Sequence, residues 1–134
     1  MFVTMFIGRA DLQTGRVELC NCGHNPPVII SGGTPHFLEL QSNCPLGIMS
    51  DIEFQCKSFD NIMGQPFFLY SDGLNEAENP LQEQFGDEHI LRLLAAHPFV
   101  SCQDTIELMK SEVARHTNGA EQSDDLTMLC LKIG

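Results

Sequence analysis

Basic residues are scarce in this chain, and their scarcity excludes two classes of partner. Its 134 residues include 7 Lys and Arg against 18 Asp and Glu, which gives a formal net charge of −11. Nucleic acids and anionic membrane surfaces are bound through clustered Lys and Arg that neutralise phosphate, and the sequence has no such cluster. We therefore expect neither as a partner.

Long apolar runs are missing as well. No segment approaches the roughly 20 apolar residues that a membrane helix needs. The apolar stretch at 2–7 is short and lacks the charged segment that opens a signal peptide. The sequence therefore predicts a cytoplasmic protein without membrane insertion.

The cysteines lack the spacing of a zinc site or of a disulfide framework. No Cys-x-x-Cys pair occurs among the 6 cysteines, and Cys20 and Cys22 are two residues apart on a predicted strand. We expect reduced thiols within apolar surroundings. The histidines show no metal-ligand spacing, and no Ser-His-Asp pattern or Cys nucleophile is recognisable.

Strands are predicted first along the chain, and helices later, within one domain. Two hairpins are expected around turn-forming residues, and alternation of apolar and polar residues at 52–59 predicts a strand with one wet face. A continuously apolar segment at 67–70 predicts a strand covered on both faces. The predicted strand segments are 2–8, 16–21, 27–31, 36–40, 52–59, 67–70 and 126–133.

Two helices are expected in the last third of the chain. The first covers 87–97, where apolar residues recur at helical spacing after two acidic residues. Ser101 is placed to cap the second, which should end at 116–119. The chain then returns to a final strand, as in an α+β layered domain.

Two acidic motifs stand at the edges of predicted strands. The sequence YSDGLNEA at 70–77 follows an apolar run, and SDDLT at 123–127 leads into the final strand. If the fold brings Asp72 and Asp124 to one cleft, their oxygens suit Mg²⁺ or Mn²⁺, ions that polarise phosphoryl groups. The alternatives are that Asp72 is a turn residue before Gly73, and that Asp124 and Asp125 form a solvated turn.

These motifs resemble the metal-dependent serine/threonine phosphatases of type 2C, in their bacterial sporulation and stress-response branch (SpoIIE-like and RsbU-like). That branch pairs Tyr-Thr/Ser-Asp-Gly-x-x-Glu-Ala with a late Asp-Asp-x-Thr. The order and spacing of further stretches agree with the family over essentially the whole chain. These stretches are MFIG at 5–8, Asp11, TG at 14–15, NCGHNPP at 21–27, PLGI at 45–48 and FG at 85–86.

The resemblance implies a fold and a position within it. The fold class is α+β, a layered β-sandwich flanked by helices. Full domains of the family begin with Gly-Asp segments that supply a metal-bridging carboxylate, and this sequence contains no match to them. We therefore expect residues 1–134 to be the C-terminal portion of a SpoIIE/RsbU-like phosphatase domain that is N-terminally incomplete.

The resemblance also implies a metal centre. Two Mn²⁺ or Mg²⁺ ions would be held by Asp72, Asp124 and an aspartate from the absent segment, and would activate a water for attack on phosphoserine or phosphothreonine without a covalent phosphoenzyme. Gly73 would reach the metal through its carbonyl, and Asp125 would assist directly or through water. Glu76 is open between a site role and helix capping. His24 is expected to stabilise its loop rather than to bind metal.

The expected partner is a phosphorylated anti-sigma-factor antagonist, the usual substrate of the family. The alternative is a non-catalytic regulatory or binding module that keeps the phosphatase-like fold but lacks the N-terminal metal ligand. A homodimer is a further expectation, because strands without neighbours would expose sheet edges and apolar surface.

Overall fold

Two four-stranded sheets form the body of the chain, in a computed structural model that describes residues 1–122 and 124–134. Three helices lie within this described part. The elements in chain order are β1 Met5–Ala10, β2 Val17–Cys22, β3 Val28–Ser31, β4 Thr34–Phe37, β5 Ser42–Asn43, β6 Cys56–Phe59, β7 Phe67–Tyr70, α1 Asp72–Asn75, α2 Asp87–Ala96, α3 Cys102–Thr117 and β8 Met128–Leu131.

The first predicted hairpin is confirmed. Strands β1 and β2 pair antiparallel, from Met5 opposite Cys22 to Ala10 opposite Val17. The turn is closed by Asp11, whose Oδ1 accepts the backbone N–H groups of residues 13 and 14 at 2.9 and 3.2 Å. The first strand begins three residues later than predicted. It continues to Ala10, because the turn occupies only the residues after Ala10.

The other edge of β2 is shared by two strands, and this corrects one prediction. Strand β6 pairs antiparallel with β2 from Val17 to Cys20, whereas β5 pairs parallel with Asn21 and Cys22. The alternating segment predicted as one strand over 52–59 becomes a strand only at Cys56. Residues before Cys56 cannot join the ladder, because β5 already occupies the edge beyond Cys20.

The second sheet has the order β4-β3-β7-β8. Gly32 and Gly33 form the two-residue turn of the second predicted hairpin, and their φ angles of 58° and 83° are those that a type I′ turn requires. Pairing resumes at once with Ser31 opposite Thr34, so β4 starts two residues earlier than expected. Strand β7 matches its predicted segment, and Phe67, Phe68 and Tyr70 are buried.

The layers are sheet, sheet and helices, which confirms the predicted layered β-sandwich flanked by helices. One core lies between the two sheets, and the second lies between the second sheet and the helices. The buried residues of the first are Val17, Leu19, Ile29, Leu38, Ile62 and Phe67. Those of the second are Val28, Ile30, Phe68, Tyr70, Leu74, Phe85, Ile90, Leu93, Leu94, Met109 and Val113.

Both predicted helices are present. Helix α3 begins after Ser101, whose Oγ accepts the backbone N–H of Asp104 at 3.1 Å, and it ends before Asn118, which is left-handed with φ 45°. The Tyr70 hydroxyl donates to Asp87 Oδ1 at 2.7 Å and ties β7 to the start of α2. Within the described residues, no helix combines the length and the apolar character needed to cross a bilayer.

Candidate functional site

The two acidic motifs meet at one end of the second sheet. Tyr70, the last residue of β7, pairs with Met128, the first of β8, so the residues just outside this pair are neighbours. Ser71 connects them: its N–H donates to the Thr127 carbonyl and its Oγ accepts the Thr127 N–H, both at 2.9 Å. The Ser71 hydroxyl also donates to the Asp125 carbonyl at 3.0 Å. The late motif is thus fastened to the first by hydrogen bonds.

Gly73 allows the late motif to approach closely. A Cβ built on Gly73 would overlap the carbonyl oxygen of Asp125, and would lie 2.5 Å from the carbonyl carbon of Asp125 and 2.8 Å from the nitrogen of Leu126. These are backbone atoms, so they cannot turn aside as a side chain would. Only glycine at position 73 therefore fits beside Asp125. This is a packing role, and the predicted contact of the Gly73 carbonyl with metal stays a prediction.

A third segment reaches the site from the loop between β2 and β3. Asn25 Nδ2 donates to Asp72 Oδ1 at 2.9 Å and to the Tyr70 carbonyl at 3.2 Å. The loop itself is held by the buried side chain of Asn21, which accepts the His24 N–H and donates to the His24 carbonyl, each at 2.9 Å. Asp72 is thereby oriented by a residue 47 positions earlier in the chain.

The three segments line an open cavity of about 370 Å³. Asp72, Asp124 and Asp125 all line it, and no Lys or Arg is among the described residues that do. None of the three carboxylates forms an ion pair with another described residue. The described lining consists of Thr4, Gly23, His24, Asn25, Pro26, Ser71, Asp72, Asp124, Asp125 and Thr127.

The side chains of this cavity are of the types that bind a hard divalent cation, but too few of them converge on one point. Carboxylate oxygens without a basic partner are the ligands that Mg²⁺ and Mn²⁺ prefer, and a cation would offset the mutual repulsion of the carboxylates. Among the residues that the structure describes, however, no three His, Cys, Asp or Glu side chains converge closely enough to hold a metal ion. A complete centre would need further ligands.

The remaining predicted residues fall in different places. Glu76 is exposed at the end of α1, where its N–H donates to the Asp72 carbonyl at 3.0 Å, and it does not line the cavity. His24 lines the cavity, with its ring Nδ1 3.0 Å from the Asn25 carbonyl. Since that oxygen can only accept, Nδ1 carries a proton. Ser123, part of the late motif, lies outside the described residues.

Sequence reasoning missed the parts played by Asn25, Ser71 and Asn21. In the sequence-based prediction Asn25 appears only within the stretch NCGHNPP at 21–27, and Ser71 only within YSDGLNEA at 70–77. The signal was present only as position: Asn25 stands in a motif that agrees with the family, directly before two prolines. Its contact with Asp72 depends on the arrangement of the whole sheet.

The fold is that of the phosphatase domains of type 2C. The SiaA-PP2C domain of Pseudomonas aeruginosa superposes with a TM-score of 0.80 at 19% identity, over 98% of this chain and 52% of that one. The phosphatase domain of SpoIIE from Bacillus subtilis, presoaked with Mn, gives a TM-score of 0.72 at 21% identity, over 97% and 56%. At these identities the likeness shows the fold.

The chain belongs to the SpoIIE family: the family model described as Stage II sporulation protein E (SpoIIE) matches residues 1–134. Protein IcfG of Synechocystis sp. is 32% identical over 98% of this chain and 20% of its own length. The phosphoserine phosphatase RsbP of Bacillus subtilis is 27% identical over 86% of this chain and 27% of its own. The chain thus spans less than a third of the length of either relative.

Proposed function

We propose that this chain is part of a divalent-metal-dependent phosphatase domain that hydrolyses phosphoserine or phosphothreonine on a protein. The observation that carries the proposal is the meeting of Asp72, Asp124 and Asp125 around one cavity whose described lining has no Lys or Arg. Membership of the SpoIIE family, and the name of its relative RsbP as a phosphoserine phosphatase, support the choice of reaction.

Asp72 and Asp124 are the proposed metal ligands and catalytic residues, with Gly73 and Asp125 as further contacts to metal. Mn²⁺ or Mg²⁺ bound there would polarise phosphoryl oxygens and lower the pKa of a bound water. The chain's own part is orientation. Asn25 donates to one oxygen of Asp72, and Ser71 fixes the backbone of Asp125, so the carboxylates keep their positions as charge builds up on the phosphoryl group.

The rest of the centre is proposed to come from another part of the domain. Two metal ions need more ligands than the described residues bring together. The chain covers 56% of the SpoIIE phosphatase domain that it resembles. We propose that residues 1–134 are the C-terminal portion of such a domain, and expect a carboxylate from the remaining portion to complete the site.

The proposed substrate is a phosphorylated regulatory protein of the anti-sigma-factor-antagonist kind, encountered in the cytoplasm. The name of RsbP as a phosphoserine phosphatase supports a serine substrate.

The test measures both metal binding and turnover. Free Mn²⁺ is followed by electron paramagnetic resonance while the chain is titrated in, and hydrolysis of an aryl phosphate and of a phosphoserine peptide is assayed in the same samples. We expect Asp72→Asn to weaken Mn²⁺ binding and to abolish any Mn²⁺-dependent turnover, whereas Asp11→Asn, in the turn after β1, should change neither. Equal Mn²⁺ binding and activity in the Asp72 and Asp11 variants would refute the site assignment.

One observation favours a second candidate, a non-catalytic binding module with the phosphatase-like fold. The described residues do not by themselves gather three metal-ligating side chains. Such a module would bind a phosphoserine peptide with an affinity independent of Mn²⁺ and would not hydrolyse it. Metal-dependent turnover lost in Asp72→Asn would exclude this alternative.

A further inference from the structure

Three thiols share the outer face of the first sheet. Cys20 and Cys22 are two residues apart on β2, so their side chains point to the same side. Their Sγ atoms are 4.0 Å apart. Cys56 of β6 lies directly opposite Cys20 in the antiparallel ladder. Val17 and Leu19 alternate with these cysteines and enter the core between the sheets, which places the thiols outside it.

Solvent reaches these three thiols unequally. Cys56 is exposed, whereas Cys20 and Cys22 are 5% and 3% exposed. Burial, together with the neighbouring Cys56 and Cys22 thiols, raises the pKa of Cys20 to about 12, so Cys20 is protonated at neutral pH. An oxidant from solvent therefore meets Cys56 first, and Cys20 is the thiol behind it.

The ladder favours one pairing over the other. Residues directly opposite on antiparallel strands have Cα atoms about 4.5 to 5.5 Å apart, within the range of about 4.4 to 6.8 Å found across disulfides. Cys20 and Cys22, successive on one face of a strand, are separated by two rises, or about 6.8 Å, and their side chains run parallel. Cys56 is thus the better partner of Cys20.

We propose that Cys20 and Cys56 are a modification site, which a hydroperoxide converts reversibly into a cross-strand disulfide. The Cys56 thiolate attacks the peroxide, takes one oxygen as a sulfenic acid and releases an alcohol or water. The sulfur of Cys20 then attacks the sulfenic sulfur, and the expelled hydroxide leaves as water with the Cys20 proton. Two thiols are oxidised, and the peroxide receives their two electrons. The proposal does not depend on the phosphatase function.

The experiment maps cysteine pairs in the native chain. The reduced chain is treated with hydrogen peroxide, its free thiols are blocked, and it is cleaved after glutamate without reductant. Cleavage at Glu18, Glu39, Glu53 and Glu76 separates Cys20 and Cys22 (19–39) from Cys44 (40–53) and Cys56 (54–76). We expect a linked pair of peptides 19–39 and 54–76, which a dithiol reductant releases.

Matched variants identify the sulfurs. Cys22→Ser should still form the link, whereas Cys20→Ser should stop at a sulfenic acid on Cys56 that dimedone traps. Cys56→Ser, a change at an exposed position, should abolish the link. Cys102 and Cys130, on peptides 89–107 and 122–134, are internal references for other oxidation. A Cys22–Cys56 or Cys20–Cys22 bond as the main product, or no link at all, would overturn the proposal, as would an equal yield in urea.

Discussion

At the scale of single residues, Asn25 decides how the loop after β2 acts on the candidate site. Its amide reaches both Asp72 Oδ1 and the Tyr70 carbonyl, so one side chain fixes the carboxylate relative to the end of β7. The neighbouring His24 is held by Asn21, and none of its described hydrogen bonds is to Asp72. The two neighbours therefore have separable roles.

We expect Asn25→Ala to weaken Mn²⁺ binding about 10- to 100-fold, the usual effect of removing a residue that orients a metal ligand. His24→Ala should act mainly on stability, because the one described hydrogen bond of its ring, from Nδ1 to the Asn25 carbonyl, lies within its own loop. Mn²⁺ titration and urea unfolding of both variants separate the two effects. A larger loss of Mn²⁺ affinity in His24→Ala than in Asn25→Ala would contradict this division.

Gly73 offers a second test at this scale. In Gly73→Ala the added methyl group would meet the backbone of Asp125 and Leu126, so the late acidic segment must move. We expect a loss of about 1 to 3 kcal/mol in the free energy of unfolding and weaker Mn²⁺ binding.

Gly8→Ala is the matched control for Gly73. There the new Cβ would lie 2.8 Å from the Cδ2 atom of Leu19, and the end of a side chain can shift. Its nearest backbone atom, the Glu18 carbonyl oxygen, would be at an ordinary contact distance of 3.8 Å. Urea unfolding and Mn²⁺ titration of both variants check the prediction. Equal effects of Gly73→Ala and Gly8→Ala in both measurements would show that the close approach of Gly73 to Asp125 is irrelevant.

The sequence predicted where the acidic motifs lie better than how they are connected. Asp72 and Asp124 were placed at strand ends, and pairing of β7 with β8 brings their motifs together. The bond from Asn25 to Asp72 crosses 47 residues, and no local pattern encodes such a distance. The tight fit of Gly73 was also invisible, because Asp-Gly equally describes an ordinary turn.

At the scale of elements, the sequence predicted correctly those elements whose position is set by a few adjacent residues. Helix α3 follows its cap, and the β3–β4 hairpin follows Gly32 and Gly33. The prediction of a strand from Ile52 was wrong before Cys56, because β5 occupies the edge of β2 with which those residues would have to pair. Alternation of apolar and polar residues predicts a strand with one buried and one solvent-exposed face. It does not show whether a neighbouring strand has a free edge to pair with.

The cap of α3 gives a prediction for this scale. Ser101→Ala removes the oxygen that accepts the Asp104 N–H and should lower the free energy of unfolding by about 1 kcal/mol. Ser101→Asp keeps an acceptor and should lose much less. Urea unfolding at neutral pH compares the three proteins. Equal destabilisation of the Ala and Asp variants would show that the cap contributes nothing.

The contact of α2 with α3 should depend on pH through His89. Its ring lies 4.3 Å from the Phe85 ring and 6.3 Å from that of His116, centroid to centroid. Burial first, then Arg92 and His116, lower the pKa of His89 below its ordinary value of 6.5. The unfolded chain then binds a proton more readily, so this contribution to stability is complete above the ordinary value and is lost as pH falls toward the lowered one.

We therefore expect the urea midpoint to fall between about pH 7.5 and about pH 5.5, and to fall less in His89→Gln. The two proteins differ only at position 89, so the difference between the two slopes reports on His89. An identical pH dependence in the variant would mean that protonation of His89 is not coupled to folding.

At the scale of the whole molecule, the sandwich is open along one side. Strands β1 and β8 are outer strands of their sheets in the described structure. An apolar groove of about 350 Å³ runs between them, lined by residues that include Phe6, Leu69 and Leu129. Leu129 is 52% exposed. Unpaired strand edges beside apolar surface are the usual template for association with another chain.

We expect the 134-residue chain to self-associate, with a second copy covering this groove. The net charge of −11 opposes that association, so added salt should strengthen it by screening the repulsion. Light scattering over a wide concentration range at low and high salt measures the effect. Leu129→Lys, which places a charge in the groove, should restore the monomer, whereas Leu81→Lys, exposed in the loop before α2, should not. A monomer at every concentration and salt would show that neither the open edges nor the groove draws two copies together.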